Sequence, residues 1–164
     1  METNNNPWIY KGNVVTPDLI PIGSVGFVYA ITDEYTHPLL NWEKKVIYIG
    51  KKSLLSTTKK KISKRDQLKE KEITGDGRVH KVKKVTKGSG WENYLTSSIE
   101  VKKLLLEHPE RYSRIVIEFA HSKQHLSYLE CKHIIVNSML ERETYNLNLM
   151  GKFYRNIFIK QEPK

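Results

Sequence analysis

Two tyrosines, one glutamate and a block of lysines are the residues of this sequence whose types and spacing could do chemistry. Tyr29 closes Gly26-Phe27-Val28-Tyr29, and Tyr48 sits in Ile47-Tyr48-Ile49-Gly50-Lys51-Lys52. Both runs are rich in β-branched and aromatic residues, so a phenol in either is first of all a sheet-packing side chain. A phenol can also orient or deprotonate water if neighbouring cations bring its pKa down from near 10. Lys51 and Lys52, directly after Tyr48, are placed in sequence to do so. Glu130 lies in Tyr128-Leu129-Glu130-Cys131-Lys132. On a helix it falls within ~40° of Leu126 and Ile134, at the edge of an apolar stripe. A carboxylate there either pairs with a cation, His133 being an available partner one turn on, or holds a metal ion.

The lysines are unevenly spread. The chain has 164 residues, with 28 Lys+Arg against 18 Asp+Glu and a formal net charge of +10. Residues 44–93 hold 16 of the basic and 5 of the acidic residues, so this segment carries the whole excess. Such a confined cationic block is the footprint of a polyanion partner, nucleic acid before acidic lipid or protein; a solvated basic face is the plain alternative. Lys51, Lys59, Lys60, Lys61, Lys64, Arg65, Lys81, Lys83 and Lys84 are the candidate phosphate contacts. No run approaches the ~18 apolar residues of a membrane span, and the start METNNNPWIY has neither the basic region nor the apolar run of a secretion signal. The single cysteine, Cys131, excludes an internal disulfide and a cysteine-rich zinc site. These features point to a cytoplasmic protein with no membrane partner.

The elements that must position these residues follow from periodicity. One domain is expected at this length. Residues 1–21 read as an irregular arm that packs through Trp8, Ile9 and Tyr10. Residues 24–32 and 45–49 read as two strands of a hairpin, joined by a long loop whose Leu39, Leu40 and Trp42 tuck back. Residues 51–93 read as a basic insertion punctuated by Gly75, Gly77, Gly88 and Gly90. Ser97, with Glu100 three residues on, makes a capping-box pattern ahead of Ile99, Val101, Leu104 and Leu105. Residues 114–120 alternate, with Ile115, Ile117 and Phe119 on one face of a third strand. Ser122 opens a longer helix to about residue 141, with the stripe Leu126, Leu129, Ile134, Val136 and Leu140. The tail, residues 145–164, turns near Gly151 and carries Asn156-Ile157-Phe158-Ile159 as a short edge strand. The expected fold is α+β: a small three-stranded antiparallel sheet flanked by helices, with a basic insertion after the second strand.

Taken in order, the two tyrosine motifs, the basic block, Trp91-Glu92-Asn93-Tyr94-Leu95-Thr96-Ser97-Ser98, the helical Tyr128-x-Glu130 and Tyr145-Asn146-Leu147-Asn148 resemble the GIY-YIG nucleases. More closely they resemble the phage-encoded homing endonucleases of the Seg-like branch. The resemblance spans about residues 26–155. It implies a metal-dependent DNA endonuclease, phage-encoded and of homing type, with DNA as partner and Mg²⁺ or Mn²⁺ as cofactor; a homodimer is compatible with it. It further implies that Tyr29 and Tyr48 face one cleft, where one of them orients or deprotonates the attacking water. Glu130 would hold the metal, and Asn146, with Asn148 in reserve, would support the site by hydrogen bonds. The family's phosphate-contacting arginine has no residue at its usual spacing. Lys52, Arg65 and Lys102 are the candidates, with Lys52 taken as the catalytic cation. The first motif reads Phe-Val-Tyr rather than Gly-Ile-Tyr, and Thr96 stands where relatives have glycine. Such a set suits phosphodiester hydrolysis, which builds charge on phosphoryl oxygens and needs a cation clamp and a Lewis acid. The alternative is a nucleic-acid-binding or inhibitor protein on the same fold without cleavage.

Overall fold

Seven consecutive buried residues, 26 to 32, mark the middle of the sheet. A strand with water on one face alternates between buried and exposed positions, and one covered on both faces does not. The computed structural model describes residues 6–34, 45–75 and 81–157. In chain order the elements are β1 (Trp8–Tyr10), β2 (Asn13–Val14), β3 (Gly26–Asp33), β4 (Lys45–Ser53), β5 (Leu55–Lys61), α1 (Lys64–Thr74), β6 (Val82–Gly88), α2 (Ile99–Glu107), β7 (Tyr112–Ala120), α3 (Lys123–Val136), β8 (Asn148–Leu149) and β9 (Phe153–Tyr154). They fall into two compact units, Met1–Leu54 with Gly90–Lys164, and Leu55–Ser89.

The first unit is built on a sheet of order β2-β1-β7-β3-β4. The expected three antiparallel strands are its β7-β3-β4 part, and the sheet has five strands rather than three. The difference lies in the N-terminal arm, expected to be irregular, whose described residues 8–14 form two strands. Trp8 and Ile9 pair in parallel with Arg114 and Ile115, and the chain doubles back so that Ile9 and Tyr10 also face Val14 and Asn13. Lys11 and Gly12 make that reversal at φ 49° and 83°, the left-handed conformations that tight hairpin turns require. The arm thereby pairs the otherwise open edge of β7.

Two apolar layers sandwich the sheet. Phe27, Tyr29 and Ile31 of β3 pack with Trp8, Trp91, Val101 and Leu105 on the α2 side. Val28 and Ala30 pack with Leu126, Leu129 and Ile134 of α3 on the other. In β7 the alternation differs from the expected one. Val28 faces Glu118 and Tyr29 faces Val116, so Ile117 is an extra residue, a bulge. Phe119 is thereby returned to the face of Val116 and away from Ile117.

The helices also depart from expectation in detail. The α2 cap is Ser98, not Ser97: its Oγ accepts from the Val101 N–H and donates to Glu100. Ile99, expected in the stripe, is exposed. Helix α3 starts at the expected Ser122 cap but stops at Val136. The Asn137 side chain donates to the His133 carbonyl there, and Ser138 turns left-handed. Val136 is exposed, while Leu140 reaches the core from beyond the helix. In the tail, residues 155–157 form a 3₁₀ turn rather than strand. Phe158 and Ile159 lie outside the described residues, as do Leu39, Leu40 and Trp42.

The second unit, by itself, is a two-stranded antiparallel ribbon of β5 and β6 with α1 between them in sequence. Ser63 caps α1 by accepting from the Asp66 N–H, and Gly75 ends it in the left-handed conformation. None of its described residues is buried. Lys51 and Lys52, counted from sequence with the basic insertion, belong to β4 of the first unit.

Candidate active site

Tyr29 and Tyr48 come from neighbouring strands on the same face. Tyr29 is opposite Gly50, and Ile31 is opposite Tyr48. Gly50 makes their approach feasible, because a Cβ there would lie 2.6 Å from the Tyr29 hydroxyl and 2.9 Å from the Tyr48 ring. Tyr29 is fully buried, its ring edge-on to Trp8 and Tyr94 at 5.0 and 6.1 Å. Its hydroxyl donates to Thr96 Oγ1 at 3.2 Å and lies 3.4 Å from the Tyr94 hydroxyl. Thr96, in the position where glycine was expected, is therefore the acceptor that satisfies a buried phenol. Burial, reinforced by Tyr94 and Tyr48, pushes the Tyr29 pKa far above the ordinary range, so this phenol stays protonated.

Tyr48 stands in front of Tyr29, ring centroids 6.2 Å apart. Its hydroxyl is 2.7 Å from Ser97 Oγ. Its pKa is also raised, first by burial and further by Tyr94 and the Glu130 carboxylate, against a lowering from the Ser97 hydrogen bond. The sequence expectation that Lys51 and Lys52 lower it is overturned. Successive strand residues point to opposite faces, so Lys51 goes to the α3 side. There its ammonium is 2.9 Å from Glu130 Oε2 and donates to Ser127 Oγ at 3.0 Å. Lys52, the expected catalytic cation, shares the tyrosine face but lies over the Tyr94 ring at 4.2 Å. Partial burial lowers its pKa.

Glu130 does not pair with His133, which instead meets Glu118 at 3.1 Å. Glu130 lines a cavity of about 440 Å³ together with Tyr48, Ser97, Ser98, Tyr145 and Asn146. This cavity sits at the outer edge of β4, so it receives Tyr48 from one face of the sheet and Glu130 from the other. Asn146 closes that edge. Its Oδ1 accepts from the Ile49 N–H at 2.9 Å and its Nδ2 donates to the Ile49 carbonyl at 2.8 Å. A side-chain amide thus replaces the missing neighbour strand, and the Tyr145 N–H adds a bond to the Ile47 carbonyl. Asn148, held in reserve, also lines the cavity, where its Oδ1 accepts from the Gly151 N–H in an exposed turn.

The structure brings Tyr48, Glu130 and Asn146 together, with Tyr29 behind Tyr48. Among the described residues it does not bring a lysine or arginine into the cavity lining. Of the arginine substitutes, Lys102 is exposed on α2 and Arg65 is in the first turn of α1. Lys59, Lys60 and Lys61 are on β5, Lys83 and Lys84 on β6, Lys64 in the first turn of α1, and Lys81 just before β6.

Three residues with a place in this geometry were given no site role from sequence, although Tyr94 and Ser97 lie in the segment 91–98 that carries the resemblance and Ser97 was expected to cap α2. Ser97 holds the Tyr48 hydroxyl, and Tyr94 bridges Tyr29 and Lys52. Arg114 is wholly buried over the Trp8 ring, where its guanidinium donates to the Tyr94 and Asn6 carbonyls. The signal for Arg114 was present: it alternates with Tyr112 and Val116, both core residues. For the metal, the donor set fits a hard cation that takes one carboxylate and fills its other positions with water and substrate oxygens. No group of three or more potential ligands exists among the described residues. Nor is any helix among them long and apolar enough to cross a membrane.

Residues 8–157 match a family model described as "Putative endonuclease segE, GIY-YIG domain". No curated protein and no solved structure matches the chain.

Proposed function

Because the chain belongs to the SegE family of GIY-YIG endonuclease domains, we propose that it hydrolyses phosphodiester bonds of DNA with the help of one divalent cation. The observation that carries this reading is the convergence of Tyr48, Glu130 and Asn146 on one cavity at the edge of β4. Glu130 would hold the ion, which supplies Lewis-acid polarisation of a phosphoryl oxygen when bound. Lys51, already on the Glu130 carboxylate, must share or leave it.

Tyr48 acts as an orienting group. Burial and the nearby carboxylate oppose loss of its proton, so at neutral pH it is a phenol. It shares a hydrogen bond with Ser97 Oγ in which either hydroxyl can donate; with the phenol donating, its oxygen accepts from the attacking water. Tyr29 backs Tyr48 and is itself fixed by Thr96. Asn146 holds the backbone at Ile49, between Tyr48 and Lys51, and is a positioning residue.

The experiment is relaxation of supercoiled plasmid by the full chain with and without Mg²⁺, repeated for Tyr48→Phe and Glu130→Gln. Cutting that needs the ion and collapses in both variants is expected. A Glu130→Gln protein that cuts at the same Mg²⁺ requirement would overturn the metal assignment. A second reading, a binding protein that does not cut, draws on the lack of any basic residue in the cavity lining. It predicts DNA binding with no cutting under any divalent ion.

A further inference from the structure

The unit Leu55–Ser89 holds twelve Lys and Arg against four Asp and Glu, and no Phe, Tyr or Trp. In its ladder Lys59 faces Lys84 and, one rung on, Lys60 faces Lys83. Like charges directly opposite each other destabilise a strand pair. Among the described residues none of these four lysines makes an ion pair. Since neighbouring rungs alternate sides, one lysine pair stands on each face of the ribbon. The ribbon is thus cationic on both sides at once, and the unit has no buried core of its own among its described residues.

We propose that this ribbon enters the major groove of duplex DNA, with the two lysine pairs meeting the phosphates of the two groove walls. The proposal rests on the reading of DNA as substrate and names how that DNA is gripped. A flat anionic surface would engage one face and leave the other repelling itself, whereas a groove offers anions to both. The major groove of B-form DNA, ~12 Å wide, admits a two-stranded ribbon, and the minor groove, ~6 Å wide, does not. The major groove of duplex RNA is too narrow and deep for side chains to read. Single strands are gripped by stacking on aromatic side chains, and the unit has none.

The test is fluorescence anisotropy with the full chain in EDTA, on a short DNA duplex, the RNA duplex of the same sequence and each DNA strand alone. Wild type is compared with Lys59→Gln/Lys84→Gln and Lys60→Gln/Lys83→Gln. The DNA duplex should bind most tightly, and methyl green, a major-groove ligand, should displace the protein where netropsin, a minor-groove ligand, does not. Each double variant should make the slope of log K against log salt shallower by about 1.8, at ~0.9 per phosphate contact. Replacing opposed lysines removes repulsion, so the melting temperature should hold or rise; the matching arginine pairs should restore the slope. Equal affinity for RNA or single strands, displacement by netropsin, or a slope that responds to only one of the two pairs would overturn groove entry. Cleavage is read separately with Mg²⁺. A chain that cuts but binds normally without these lysines refutes the ribbon alone. One that binds through them and never cuts refutes the nuclease reading alone.

Discussion

The two units reach order by opposite means. Around Tyr29 every neighbour is fixed by packing: Trp8, Tyr94, Tyr48 and Gly50 leave the ring no alternative position. In the ribbon no described residue is buried, and an antiparallel ladder of seven paired positions with a capped helix carries the shape. The contrast teaches where precision is spent. Hydrolysis needs reacting groups held to a fraction of an ångström, which a close-packed interior provides. Grip on a polyanion needs only charge at roughly the right spacing, and long solvated lysines supply it.

Substitutions at the cavity should give the largest effects. Tyr48→Phe and Glu130→Gln are each expected to lower turnover by ~10²–10⁴, and together by less than the product, because both serve one step. Duplex affinity in EDTA should be unchanged in both, and a plasmid-relaxation series beside binding curves checks this. If either variant lost DNA binding in proportion to activity, the proposed division between a cutting unit and a gripping unit would fail.

Glycine substitutions compare the two regions directly. Gly50→Ala puts a Cβ 2.6 Å from the Tyr29 hydroxyl and should cost about 1–3 kcal/mol of stability, with a matching fall in turnover as the tyrosines move. Gly88→Ala meets nothing within 4 Å and should stay within about 0.5 kcal/mol of wild type. Chemical denaturation of both, followed by far-UV circular dichroism, which reports backbone structure in both units, gives the two numbers side by side. Equal costs would mean that the ribbon is packed as tightly as the tyrosine site.

Asn146→Ala strips two hydrogen bonds from the edge of β4 and should cost about 1–3 kcal/mol. Thermal unfolding measures it, and a variant as stable as wild type would show that water replaces the amide there at no cost.

The smallest effect is on pH. Tyr29 and Tyr48 keep their protons in the folded state above the pH at which an unfolded chain releases them, near 10. Stability from these groups is complete below that pH and falls as pH rises through it. Tyr29→Phe should flatten the alkaline fall in melting temperature. The ribbon unit has no tyrosine; an unchanged slope in the variant would show that Tyr29 is not the group being titrated.

Some of this architecture was legible in the residue pattern and some was not. The hairpin of β3 and β4 was plain, since β-branched and aromatic runs say strand in any context. The arm was not: Trp8-Ile9-Tyr10 is too short to signal a strand by itself, and β1 exists because β7 offers an edge. The bulge at Ile117 is equally silent, being a property of two strands in register rather than of one. Helix α3 begins where Ser122 says and ends five residues before the expected point, because neither glycine nor proline marks the stop at Asn137.

What the sequence by itself determined is therefore the inventory: which residues could do chemistry, which strands would carry two of them, and where the charge would lie. Direction was left to tertiary structure. Lys51 and Lys52 are equivalent neighbours in the chain, yet β4 sends one to Glu130 and the other to Tyr94. A one-residue step reverses a strand side chain, and only the packed sheet decides which face holds α3. The same holds for Asn146, whose amide finds Ile49 across 97 positions of sequence. It does so because an edge strand has backbone groups that folding must satisfy, and no local pattern records which distant residue will reach them.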